Sequence, residues 1–127
     1  ISLSRLFLSV HQKFFRFWPS LIWMGVIFYF SSKSTAAVPL TGGWRFLFFK
    51  SLHLIEYAIL AICLGWALIK RKNIIIIGYL YALSDEIHQF FVPGRESRFQ
   101  DTLIDLIGLF LGIFLFKFLN QFWIARK

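Results

Sequence analysis

Five of the six acidic residues in this 127-residue chain, Asp85, Glu86, Glu96, Asp101 and Asp105, fall within 21 positions. The sixth, Glu56, lies in a second polar stretch, Lys50-Ser51-Leu52-His53-Leu54-Ile55-Glu56-Tyr57. Residues 1–55 and 106–127 carry no carboxylate side chain at all. Around these groups the chain is apolar: 58% of its residues are hydrophobic, 17 of them Phe and 5 Trp. A soluble domain of this size has too little interior to hide so many aromatics. Long apolar runs place the chain among all-α integral membrane proteins, as one domain over 1–127 forming a four-helix bundle. Ionisable groups are costly in such surroundings, so their crowding points to a site whose partners lie close by.

The lengths of the apolar runs carry the argument further. The first span is expected over about 17–32, with Pro19 suited to its first turn and Trp18 and Trp23 as interfacial anchors. Residues 34–45, with Pro39, Gly42 and Gly43, read as a polar loop. In the second span the purely apolar part, Tyr57 to Ile69, is 13 residues. That is about 20 Å of helix against a hydrocarbon core of about 30 Å. A crossing helix must therefore begin near Phe46 and draw Lys50, His53 and Glu56, at i, i+3 and i+6, into the membrane on one face. The third span, 74–92, repeats the pattern, because Ile74 to Leu83 is too short alone. It takes in Asp85, Glu86, His88 and Gln89, and Pro93-Gly94 ends it. The fourth, 102–119, has Asp101, Asp105, Gly108 and Gly112 on one stripe at i, i+4, i+7 and i+11: carboxylates first, then glycines for close packing. Ahead of the spans, residues 3–17 have the spacing of an amphipathic surface helix, or of an extension of the first span.

Basic residues set the expected orientation. The N-terminal segment, the Lys70-Arg71-Lys72 turn and the C-terminus hold nine Lys and Arg on one side, against five on the other (Lys33, Arg45, Lys50, Arg95 and Arg98). The positive-inside rule then puts both termini in the cytoplasm of a multi-pass plasma-membrane protein. All the polar turns fall at the outer end, where one site is the economical arrangement. The net charge of +8 does not mark a nucleic-acid binder, because no basic face survives once the spans are removed. Cys63 lies mid-helix and has no second cysteine with which to form an internal disulfide. Ser2 to Arg16 spreads its basic residues through the segment, unlike a cleavable signal peptide.

Several of these elements together resemble the VanZ family of small bacterial membrane proteins. They are Ser31-Ser32, Lys50-x-x-His53-x-x-Glu56-Tyr57, Asp85-Glu86-x-His88-Gln89, Arg95-x-Ser97-x-x-x-Asp101, and Asp105 with Gly108 and Gly112, over residues 28–116. The resemblance implies a cell-envelope protein associated with low-level resistance to glycopeptide antibiotics, teicoplanin especially. It supplies no reaction and no cofactor. Asp105 departs from the Asn expected there in many relatives.

Three functional readings and one structural reading compete. In the first, an envelope module engages the headgroup of a lipid-linked cell-wall precursor or a glycopeptide-related ligand. Lys50, His88, Gln89, Arg95, Ser97 and Asp105 would make the contacts, with Arg98 adding charge for phosphate. In the second, an intramembrane enzyme uses His53 as acid/base oriented by Glu56, with Asp85, Glu86 and Asp101 as further acid/base groups. Its metal-assisted variant would draw on His53, Glu56, Asp85, Glu86 and His88, a set without thiolate. The third, an ion-coupled transporter, fits poorly with four spans lacking a repeat, unless the chain forms a homo-oligomer. The structural reading pairs Lys50, Arg95 and Arg98 with Asp85, Glu86 and Asp101. It sets three cations against six carboxylates, so some acids need another partner. Membrane lipids are partners in every case.

Overall fold

In the computed structural model, which describes residues 2–68 and 70–125, every regular element is an α-helix. In chain order these are α1 (Leu3–Phe15), α2 (Trp18–Ser31), α3 (Gly42–Ala67), α4 (Arg71–Phe90) and α5 (Asp101–Ala125). Ile69, the end of the expected second span, and the cations Arg126 and Lys127 lie outside the described residues.

Several boundaries differ from the sequence reading. Pro19 does sit in the first turn of α2, where its missing N–H costs no hydrogen bond. At 14 residues, though, α2 is about 21 Å long and cannot cross a bilayer by itself. Together with α1 it forms a run of 29 residues, Leu3–Ser31, that is long and apolar enough to cross, because Arg16 and Phe17 at the joint both keep right-handed helical angles. The extension reading of α1 is thus the better one. Helix α3 starts at Gly42, four residues earlier than expected: its glycines, read as breakers, sit at the helix entrance, with Gly42 at φ +61°. Helix α4 absorbs Arg71 and Lys72 into its first turn and stops at Phe90. Helix α5 continues to Ala125, past the expected end at Leu119, through a further apolar stretch.

Among the described residues three helical runs are long and apolar enough to cross a membrane: Leu3–Ser31, Gly42–Ala67 and Asp101–Gln121. Helix α4, about 30 Å long, is excluded by its charges rather than its length. It turns its two acids and a glutamine inward: Asp85, Glu86 and Gln89 are buried, while Arg71 and Lys72 are exposed at its start and Ile76, Leu80, Ile87 and Phe90 face outward.

This inversion runs through the whole bundle. Among the described residues ten polar or charged side chains are buried, against nine hydrophobic ones. Phe, Leu and Ile cover the outside, as lipid permits and water would not. A small apolar core of Ile27, Tyr57, Leu60, Ala61, Leu64, Ile74, Ala82 and Leu109 fills the middle. Helices α3 and α5 run parallel and form the most extensive pairing, and α4, antiparallel to both, packs along α5.

Candidate functional site

The α3–α5 seam builds the site. Four positions on α5 meet four turns of α3 in register: Asp101 at Lys50, Asp105 at His53, Gly108 at Leu54 and Tyr57, and Gly112 at Ala58 and Ala61. The glycines bring the two backbones together, and that proximity puts the carboxylates within reach of α3. Lys50 forms an ion pair with Asp101. His53 Nδ1 lies 3.0 Å from Asp105 Oδ1, and both side chains are buried.

Asp105 therefore takes the place that the sequence reading gave to Glu56. The Glu56 carboxylate has no hydrogen-bond partner among the described residues, although His53, Asp85, Arg95 and Asp105 lie within its electrostatic reach. Its backbone carbonyl accepts the indole N–H of Trp23 at 2.7 Å. Trp23 is thus an inter-helix tie, not the interfacial anchor it was expected to be.

A second layer comes from α4. The Tyr57 hydroxyl and the Gln89 amide each donate to Asp85 Oδ2 at 3.3 Å, and the same amide donates to the Ser31 hydroxyl at 3.0 Å. Among the described residues Asp85 Oδ1 and Gln89 Oε1 are buried without a partner. Glu86 accepts from the Ser97 hydroxyl at 2.7 Å. His88, one position from Gln89, turns away from this network: it stacks on Phe28 and its Nε2 lies 3.0 Å from the Ser32 hydroxyl.

The loops lock onto each other above these layers. Gly94, at φ +75°, presents its carbonyl to the Thr35 N–H at 3.2 Å and to the hydroxyls of Ser34 and Thr35. Arg95 donates to the carbonyls of Phe30 at 3.1 Å and Lys33 at 3.3 Å, capping the end of α2. The structural pairing expected of Arg95 and Arg98 with carboxylates is not formed: Arg95 serves backbone carbonyls, and Arg98 makes no side-chain ion pair among the described residues.

Between the loops and the seam lies a cavity of about 260 Å³. Arg45, Lys50, Arg95 and Arg98 line it, with Glu96, Asp101 and His53. Two of its carboxylates thus face four permanent cations. The surplus favours an anion, and guanidinium groups match phosphate oxygens by geometry as well as charge. Of the residues singled out in the sequence, Lys50, His53, Arg95 and Asp101 line the cavity. Asp105 stands directly behind His53. Asp85, Glu86 and Gln89 form the adjoining buried layer, the half-buried Ser97 covers it from the loop, Glu56 borders it, and His88 lies apart. Among the described residues no three His, Cys, Asp or Glu side chains gather as a metal ion requires, so the five-residue metal-holding variant is not assembled.

Two participants escaped the sequence reading. Arg45 had been assigned to a loop because α3 was started too late; with the helix begun at Gly42, Arg45, Phe49, Lys50 and His53 share a face at i, i+4, i+5 and i+8. Tyr57 stands in the sequence motif beside Glu56 without a role in the site, yet its hydroxyl donates to Asp85. Its position one turn beyond His53 was the available signal.

A family model described as VanZ/LLP1 matches residues 6–120, nearly the whole chain and every element of the site. No curated protein and no solved structure matches the chain.

Proposed function

The chain belongs to the VanZ/LLP1 family, and from that premise we propose an envelope protein whose cationic cavity holds an anionic headgroup at the outer leaflet. In this reading the helices cross the plasma membrane of a bacterium several times, with both termini cytoplasmic, and the cavity opens outward. The headgroup is the phosphate of a lipid-linked or surface-exposed envelope component, and occupancy alters susceptibility to glycopeptides such as teicoplanin. One observation carries the reading: four cations surround a cavity that holds two carboxylates. A neutral ligand would leave that surplus uncompensated.

The buried layer supports a working role as well. Among the described residues Asp85 Oδ1 is a buried acceptor without a partner, and Glu56 beside it accepts no side-chain hydrogen bond. Glu56→Gln and Asp85→Asn keep shape and hydrogen-bonding capacity while removing charge. Both variants are expected to reach parental abundance in membranes and to melt normally in detergent, yet to lose the susceptibility phenotype. Arg98→Gln should do the same and should also weaken retention of a polyprenyl phosphate relative to the corresponding polyprenol. Loss of phenotype that only tracks loss of folded protein defeats the proposal.

A second reading rests on the His53–Asp105 pair. An imidazole held by a carboxylate at the edge of a phosphate-sized cavity is the arrangement of a general acid/base. An enzyme would leave a chemically altered lipid or wall precursor in extracts, whereas a binding module would leave none.

Orientation is open to a direct test. In a Cys63→Ala background, single cysteines replacing Ser34 and Ser97 are expected to react with an impermeant thiol reagent on intact cells. A cysteine beside Lys127 should react only after permeabilisation. The opposite pattern reverses the topology.

A further inference from the structure

At the end of the bundle away from the cavity, residues of α4 and α5 line an apolar groove of about 680 Å³. Ile75, Ile76 and Phe114 are among its walls, and Arg71, Lys72 and Lys117 form its rim. All three cations are exposed, and none is in an ion pair among the described residues. The chain cannot neutralise them with its own side chains. Its six carboxylates all lie toward the opposite end, and Asp105, the acidic residue closest to Lys117 in sequence, is 12 positions away, or about 18 Å of helix.

We propose that this groove is a binding site for an anionic glycerophospholipid, with one acyl chain along Ile75, Ile76 and Phe114 and the headgroup on Arg71, Lys72 and Lys117. The occupant follows from two features taken together. The wall is as apolar as an acyl chain and sits at bilayer depth, where water is not a competitor. The rim carries a surplus of three positive charges at one level, which a zwitterionic headgroup compensates poorly and an anionic one compensates well. Basic pockets between membrane helices select anionic headgroups for this reason. The site is separate from the cavity at the other end and does not depend on what that cavity binds.

The test uses the purified full chain in a neutral detergent, with phosphatidylglycerol or phosphatidylcholine added and bound lipid counted by native mass spectrometry. Phosphatidylglycerol should be retained at least about tenfold better, and each of Arg71→Gln, Lys72→Gln and Lys117→Gln should reduce that preference by about fivefold. The preference should also shrink as salt screens the rim. Lys33→Gln, an exposed cation at the opposite end that lines neither the cavity nor the groove, should leave it intact. The three single variants are used alongside the triple one, so that a triple variant that misfolds still leaves a graded series. Equal retention of the two lipids, a preference that survives in all three single variants, or one lost equally with Lys33→Gln overturns the assignment.

Discussion

Gly112→Val is expected to remove the folded protein from the membrane. A Cβ at this position would land on the carbonyl oxygen of Ala58 and come within 2.7 Å of the Ala61 Cβ. At Gly108 it would meet the Leu54 carbonyl oxygen at 2.6 Å. A flexible side-chain tip can move aside; a helix backbone on the central seam cannot without dragging its neighbours. Overpacking commonly costs about 1–3 kcal/mol, and a backbone clash belongs at or above the upper end. Against a total stability of about 5–15 kcal/mol, that is a large fraction. Parting α3 from α5 would also pull Asp101 and Asp105 away from Lys50 and His53. Membrane abundance and thermal melting in detergent should therefore collapse for Gly112→Val and for Gly108→Val. Gly25→Ala, where an added Cβ meets nothing within 4 Å, should melt like the parent. A Gly112→Val protein that accumulates and melts normally would mean that the helices are not in backbone contact there.

The second large effect concerns the buried pair. Asp105→Leu strips His53 of its partner while leaving the imidazole buried, and His53→Leu does the converse to the carboxylate. Removing one member of a buried pair typically costs about 3–5 kcal/mol, whereas replacing both with apolar groups of similar size is often close to neutral. The double variant His53→Leu/Asp105→Leu is thus expected to be more stable than either single one, with strong coupling in a double-mutant cycle. Asp105→Asn retains an acceptor for His53 and should fold. The double variant also separates fold from function, since it should recover stability without recovering the phenotype. Additive costs, with no coupling, would show that the two residues do not act as a unit.

Much of this arrangement was legible in the sequence because lipid makes errors expensive. An apolar run of 13 residues cannot cross a bilayer, so the helix carrying Tyr57 to Ile69 had to carry Lys50, His53 and Glu56 as well. The stripe of Asp101, Asp105, Gly108 and Gly112 likewise marked the α5 seam before any partner for it was known. What the sequence did not contain was which carboxylate meets which base. His53 has Glu56 three positions away on its own helix, and local spacing favours that neighbour. The glycine contacts bring Asp105 closer from another helix, and spacing along one chain cannot register such a distance. Arg45 was missed for a local reason: two glycines at a helix entrance look the same as two glycines in a loop. The turn of His88 toward Phe28 and Ser32 depended on how far α2 rises beside α4, which no pattern in either segment encodes.

The parallel α3–α5 seam also divides the molecule mechanically. Backbone contact at Gly108 and Gly112 opposes sliding or rolling of these two helices past each other, so this side of the cavity is the stiffer one. The opposite wall, the loop that carries Arg95, Glu96 and Arg98, is tied to the end of α2 and the loop after it by individual hydrogen bonds, from Arg95 to the Phe30 and Lys33 carbonyls and from the Thr35 N–H to the Gly94 carbonyl. Each such tie is worth only about 0.5–1.5 kcal/mol. A headgroup entering the cavity therefore meets one jaw that is fixed and one that can yield.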